Sequence, residues 1–218
     1  MIKYIVERTY KPWLVKYLTK TRMYSCKGIT LEIPPEVFHP GFFSSTKLLL
    51  RFISKEHLKQ KSFLELGAGS GLLGIYAAKK GAFVTATDIN PVSVKCLRKN
   101  AAVNGVKVEI IHSDLFEKIP VKEFDFILIN PPYYKKDPSS DMEYAWYCGK
   151  NGEYFQKLFS GLKRYIHQSS EVLMVLCDGC DLEMIKEMAS EHFFCMKAVQ
   201  TKATMIESNF IFRIYPAK

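Results

Sequence analysis

The sequence predicts an α/β fold: a doubly wound, mainly parallel seven-stranded sheet with a C-terminal antiparallel strand pair. Three observations predict it. From Ser62 onward, short apolar runs alternate with stretches of helical period. The first run, Phe63 to Leu66, ends in a glycine cluster of Gly67, Gly69, Gly71 and Gly74, as a strand does where it turns tightly into a helix. Polar residues recur at the carboxyl ends of the runs, as Glu65, Asp88, Asp114 and Asn130, where open α/β sheets bind their ligands.

Residues 1–36 read as a basic accessory segment and 37–218 as the main domain. Lys3, Arg8, Lys11, Lys16, Lys20, Arg22 and Lys27 stand against Glu7 alone, interleaved with Tyr4, Tyr10, Trp13, Tyr17 and Tyr24. Such an arm can hold RNA by phosphate contacts and stacking, or it can be a solvated basic face. Tyr10–Tyr24 is expected to be helical after Pro12, and Gly28–Ile33 to be a short strand stopped by Pro34-Pro35. Ser44 or Ser45 suits the N-cap of a helix running to about Ser54. The aromatic-Pro-Gly stretch before it would lie over the ligand mouth.

The alternation then predicts strand 63–66 and helix 71–80, strand 83–87 ending at Asp88, and a helix over Val92–Asn104 that ends at Asn104-Gly105, with Pro91 suited to its first turn. Strands follow at 106–111, 124–129 and 172–176, with helices at 154–166 and 182–192. Runs at 193–201 and 205–215 form the closing antiparallel pair. Residues 134–150 are the longest irregular stretch and the expected substrate loop.

The composition excludes several classes. The 218 residues carry a net charge of +9 and are 48% hydrophobic, ordinary for a globular domain. No apolar run reaches membrane-spanning length, and the N-terminus lacks a signal-peptide core, so a cytoplasmic protein with no membrane partner is expected. Cys177-Asp178-Gly179-Cys180 is a single CxxC, without a second pair or histidines at zinc spacing. No metal site is expected, and the thiols read as reduced.

Two nucleotide-type cofactors fit the glycine turn. Gly69-Ser70-Gly71-Leu72-Leu73-Gly74 satisfies the dinucleotide pattern G-x-G-x-x-G. Glu65, two residues before Gly67, would repel a pyrophosphate but attract an ammonium. S-adenosylmethionine (SAM) has an amino acid tail and no phosphate. Asp88 could accept both ribose hydroxyls, which would serve NAD equally. Asp114 would take the exocyclic amine of adenine while Leu115 packs on the ring. Each acid singly could be a helix cap; four polar strand ends together point to one crevice.

Asn130-Pro131-Pro132-Tyr133 points to the chemistry. A nitrogen on a carbonyl or an aromatic ring has a delocalised lone pair and is a poor nucleophile. The Asn130 side-chain carbonyl and the Pro131 main-chain carbonyl can take both of its N–H groups, and Pro131 offers no competing donor. Tyr133 supplies a flat face for stacking. Orientation and lone-pair steering then do the work without a strong base.

Glu65-Leu66-Gly67-Ala68-Gly69-Ser70-Gly71, Thr87-Asp88-Ile89-Asn90-Pro91, Ser113-Asp114-Leu115 and Asn130–Tyr133 resemble the motifs of amino-group class I SAM-dependent methyltransferases, from about Val37 to the C-terminus. Asn-Pro-Pro-Tyr is shared by enzymes acting on adenine N6, guanine N2 and glutamine N5. Glu143–Gly152, and Val37–Pro40 with Ser45-Thr46, are further similar to the compact, short-N-terminus branch of the release-factor glutamine N5-methyltransferases. The resemblance implies a Rossmann-like fold and SAM as donor, with S-adenosyl-L-homocysteine as product. It implies Thr46, Glu65, Gly67, Gly69, Asp88, Ile89, Asp114, Leu115 and Asn130 around the cofactor, and Asn130, Pro131 and Tyr133 as catalytic residues holding the glutamine amide. The acceptor it implies is a release-factor-like protein, rather than RNA. The chain departs from that pattern at Cys148, where a glycine is expected, and at Gly41-Phe42-Phe43, where an acid is expected. An rRNA or tRNA base methyltransferase, favoured by the basic arm, and an NAD-dependent oxidoreductase are the alternatives.

Overall fold

A computed structural model describes residues 17–204 and 207–217. In chain order the elements are β1 Arg22–Cys26, β2 Ile29–Ile33, α1 Ser44–Ile53, β3 Ser62–Leu66, α2 Leu72–Lys79, β4 Phe83–Asp88, α3 Pro91–Val103, β5 Glu109–His112, β6 Phe124–Ile129, α4 Glu153–Leu162, β7 Ile166–Cys177, α5 Leu182–Glu191, β8 Phe194–Ala203 and β9 Ser208–Pro216. Strands β3 to β9 form one seven-stranded sheet in the order β5-β4-β3-β6-β7-β9-β8. The first five of these pair in parallel, and β9 runs antiparallel between β7 and β8. From β3 the chain builds outward through β4 and β5, then returns to place β6 on the other side. Strand order therefore reverses at β3 and β6, which opens a crevice above their carboxyl ends.

Alternation along the strands sends side chains to two cores. Phe63, Phe126, Leu128, Leu173 and Val175 pack with α1, α2 and α3. Leu64, Leu66, Ile127, Ile129 and Met174 pack with α4 and α5 on the opposite face. Both faces are thus covered, which is why β6 reads as a continuous apolar run rather than an alternating one.

The expected helix over Tyr10–Tyr24 falls partly outside the described residues, and its described end is corrected. Only Tyr17 and Leu18 are helical; Arg22–Cys26 is a strand paired with β2. The turn explains this. Lys27 and Gly28 both have positive φ, at 48° and 73°, the two-residue turn whose twist suits a hairpin. The hairpin packs into the main core: Ile29, Leu31 and Ile33 are fully buried beside α2. This explains the all-round apolar character of α2, which lies between sheet and hairpin. On the outer edge of β2, the Asn104 and Asn100 side chains accept from the Thr30 and Glu32 amides and donate to the carbonyls of the same residues. Two asparagines of α3 thereby satisfy an edge that a third strand would otherwise have to pair.

Smaller boundaries also shift. The third parallel strand begins at Glu109, not Val106, and β7 begins at Ile166, straight after the turn that follows α4. The residue at the N-cap of α1 is Phe43; the Ser44 hydroxyl instead accepts from Asn209 Nδ2 at 2.7 Å, tying the helix to β9. Pro91 does open α3, with the Asn90 side chain as its cap.

Gly71 shows why the turn needs glycine. Its φ is 85°, and a Cβ there would run into Leu97 Cδ1 inside the core. Gly71→Ala should therefore lower the unfolding free energy by about 1–3 kcal/mol. Chemical denaturation of the ligand-free protein measures this, and an unchanged midpoint would refute the close-packing account.

Candidate active site

The crevice is a cavity of about 440 Å³, and every site residue expected from the sequence lines it: Thr46, Glu65, Gly67, Gly69, Asp88, Ile89, Asp114, Leu115, Asn130, Pro131 and Tyr133. Its size suits a small-molecule ligand. The parallel strands deliver these residues together because β3, β4 and β6 are neighbours that end at one level.

Glu65 is buried on β3, and its Oε2 accepts from the Gly74 amide at 2.7 Å. Its other oxygen takes no hydrogen bond among the described residues. Burial pushes its pKa up to about 8, against the opposing pull of the Gly74 amide. A carboxyl so placed is relieved by a cation, which fits an ammonium. The linkage has a definite sign. The folded pKa lies above the unfolded one, so the folded state holds the proton more firmly. Stability of the ligand-free protein should be greatest near and below the unfolded value of about 4.3 and fall by a few kcal/mol as pH rises to about 8. Urea midpoints at about pH 5 and 8 should converge in Glu65→Gln relative to the wild type; an identical pH slope in both proteins rules Glu65 out as its source.

Asp88, at the end of β4, takes two main-chain donors. Oδ2 accepts from Gly69 at 2.7 Å and Oδ1 from Asn90 at 2.9 Å. Burial raises its pKa, outweighing those hydrogen bonds. The cap of α3 is Asn90, so Asp88 is not occupied as a helix cap. Each carboxylate oxygen retains a second lone-pair direction for a ligand hydroxyl.

Asp114 is less free than the sequence suggests. Lys157 of α4 pairs with both Asp114 and Glu117. Leu115 follows with φ at 46°, an unusual conformation for leucine, and Ser113 Oγ donates to its carbonyl at 3.1 Å. The turn thus holds an apolar side chain against the cavity wall.

The Asn130 amide nitrogen donates to Thr46 Oγ1 at 3.2 Å. This turns Asn130 Oδ1 away from Thr46. Neither Oδ1 nor the Pro131 carbonyl accepts a hydrogen bond among the described residues, so two acceptors remain for a ligand. The following loop is irregular, as expected, but tied down. The Tyr133 and Tyr134 amides both donate to the Trp146 carbonyl, at 3.2 and 3.0 Å, and Cys148 N donates to Tyr134 O at 3.0 Å. Glu143 accepts from the Ser139 hydroxyl and amide and from Lys136, which holds its pKa down at about 2. Cys148 is buried and has no positive φ, so replacing the expected glycine there costs no backbone strain.

Lys157, Tyr154 and Trp146 also line the cavity. Lys157 and Tyr154 were not expected as site residues, because no local spacing links α4 to the Ser113–Leu115 turn. Trp146 packs with Phe38 and Phe43, at ring-centroid distances of 5.4 and 5.1 Å, into an aromatic wall. The sequence showed those aromatic stretches without showing that they meet. Among the described residues no helix is long and apolar enough to cross a membrane.

Comparison with known proteins points the same way. A family model described as the methyltransferase small domain matches residues 29–148. A Methanocaldococcus jannaschii protein named "Putative protein N5-glutamine methyltransferase" is 38% identical over 152 residues, which is 67% of this chain and 75% of its own length. The T. thermophilus 16S rRNA N2 G1207 methyltransferase, solved with AdoMet and guanosine, aligns with a TM-score of 0.65 at 22% identity, over 91% of this chain and 50% of its own. The E. cuniculi Mtq2–Trm112 complex, responsible for methylation of the eRF1 translation termination factor, aligns with a TM-score of 0.63 at 17% identity, over 84% of this chain and 99% of the matched one. At such identities the two structures show a shared fold. The chain spans less than half the length of the ribosomal protein L11 methyltransferases that it also matches. The chain is therefore a SAM-dependent methyltransferase rather than an NAD-dependent oxidoreductase, and it belongs to the methyltransferase small-domain family.

Proposed function

We propose that this protein methylates the side-chain amide nitrogen of a glutamine in a protein acceptor such as a peptide chain release factor. The proposal rests on the Asn130–Tyr133 turn, whose residues line the cavity and whose Asn130 Oδ1 and Pro131 carbonyl accept no hydrogen bond among the described residues. SAM, when bound, supplies an electrophilic methyl group. Glu65 would hold its ammonium, Asp88 its ribose, and Asp114 with Leu115 its adenine, with Gly67, Gly69, Ile89 and Thr46 shaping the wall. Asn130 Oδ1 and Pro131 O would accept the two amide N–H groups of glutamine and turn the nitrogen lone pair toward the donor. Tyr133 would stack on the planar amide. No base is required before transfer, because the nitrogen sheds its proton afterwards.

Two observations support a protein over RNA. The M. jannaschii relative carries the name of a glutamine methyltransferase. The outer cavity wall also includes Glu36, Asp137, Asp141 and Glu153, and the nearby Lys136 and Lys150 are paired with Glu143 and Asp137, an unfavourable setting for phosphates. The RNA reading keeps the net charge of +9 in its favour; most of the basic arm lies outside the described residues. Incubation with radiolabelled SAM, separately with a termination factor and with total RNA, tests the choice. Label is expected in a single glutamine of the factor, and label confined to RNA overturns the proposal.

A further inference from the structure

Cys177 ends β7 and Cys180 precedes the Asp181 cap of α5. Their sulfurs are 3.7 Å apart, and Cys180 Sγ also accepts from the Cys177 amide at 3.2 Å. Closing a disulfide at about 2.05 Å therefore needs only a small rotation of two side chains. Gly179 lies directly beside the pair: a Cβ built there would stand in van der Waals contact with Cys177 Sγ, at 3.5 Å. Tyr133 packs against the core cluster that contains both cysteines, and the Cys180 thiol, helped by the Gly179 amide and opposed by burial, holds the Cys177 thiol below its usual range. The other cysteines are placed differently. Cys96 donates to the Glu32 carbonyl and Cys148 to Tyr134 O, while Cys195 is exposed on β8.

We propose that Cys177 and Cys180 form a dithiol–disulfide site, oxidised by a hydroperoxide and reduced by a small dithiol, whose closure repacks the core against which Tyr133 rests. The steps balance. The Cys177 thiolate attacks one peroxide oxygen and the O–O bond breaks, leaving a sulfenic acid and, with hydrogen peroxide, one water. The Cys180 sulfur then attacks Cys177 Sγ, the S–O bond breaks, and a second water departs. Two thiols are oxidised and one peroxide is reduced. Reduction by dithiothreitol reverses the result by thiol–disulfide exchange. Closure draws the two sulfurs together and so shifts the core surface on which the Tyr133 ring, the ring that would stack on the acceptor, is packed.

The disulfide is tested without any acceptor. The full chain is treated with hydrogen peroxide, alkylated and mapped by mass spectrometry. The expected product has lost two hydrogens, carries a 177–180 cross-link, leaves Cys96 and Cys148 alkylatable after denaturation, and returns to the dithiol with dithiothreitol. Cys180→Ser should remain uncross-linked and keep its untreated activity. Oxidation confined to Cys195, or a Cys177 that stays reduced while the fold is intact, overturns the site. The coupling to Tyr133 rests on the proposed function and is measured separately. In the oxidised protein, transfer to a termination factor should fall about tenfold while affinity for S-adenosyl-L-homocysteine is kept, as expected when only an orienting group is disturbed. Unchanged transfer by a fully cross-linked protein overturns the coupling. A reduced protein that never labels the factor instead indicts the acceptor assignment.

Discussion

Asn130→Ala should lower the rate of methyl transfer by about 10²–10³ and leave affinity for S-adenosyl-L-homocysteine within about threefold. The loss corresponds to about 2.7–4 kcal/mol of orientation and lone-pair steering. Asn130 stands at the end of β6 with its amide nitrogen committed to Thr46. That bond makes the orientation of the carbonyl a property of two elements, α1 and β6. Alanine removes the acceptor but leaves the strand, the two prolines and the donor cavity in place. Thr46→Val should give a smaller loss of about tenfold, because the carbonyl survives but its orientation is no longer held. Single-turnover rates alongside calorimetric titration with the product separate the two properties. Parallel losses of rate and affinity in Asn130→Ala would contradict the assigned division of labour.

Asp88→Ala should act the other way and weaken donor binding by about 30- to 100-fold, from the loss of charged hydrogen bonds. The same substitution strips the acceptor from the Gly69 and Asn90 amides. Both lie against the cavity, so the glycine turn should loosen and the ligand-free protein should also unfold at lower temperature. Asp88→Asn separates the two roles. It keeps one side-chain acceptor and the shape of the residue, so it should regain part of the lost stability while binding the donor poorly. Donor affinity equal to wild type in Asp88→Ala would reduce Asp88 to a clamp on the turn and remove its assignment to the ribose.

The parts of the site legible in sequence are those written in local chemistry. A run such as Phe63–Leu66 followed by Gly67, Gly69 and Gly71 has few alternatives to strand, tight turn and helix. Asp88, Asp114 and Asn130 could be placed at one edge because parallel strands point the same way. The N-terminal segment was misread for an equally local reason. Tyr17 to Tyr24 carries no strong breaker, and the hairpin depends on Lys27, an uncommon residue for a positive-φ position. Ser44 has the right chemistry for a cap, yet Asn209, 165 residues away, takes its hydroxyl.

By itself the sequence determined the alternation of strands and helices, the glycine turn, the polar strand ends and the proline-stiffened clasp. These follow from backbone freedom and side-chain period, which act over a few residues. Only the tertiary structure decided that Lys157 occupies Asp114, that Thr46 orients Asn130, that Asn100 and Asn104 close the edge of β2, and that Cys177 and Cys180 lie in the core against which Tyr133 packs. Each of these pairings joins residues brought together by the order of strands in the sheet and by the helices and hairpin that pack on it. That order is set by the balance of burial over the whole chain, which no short stretch of sequence encodes.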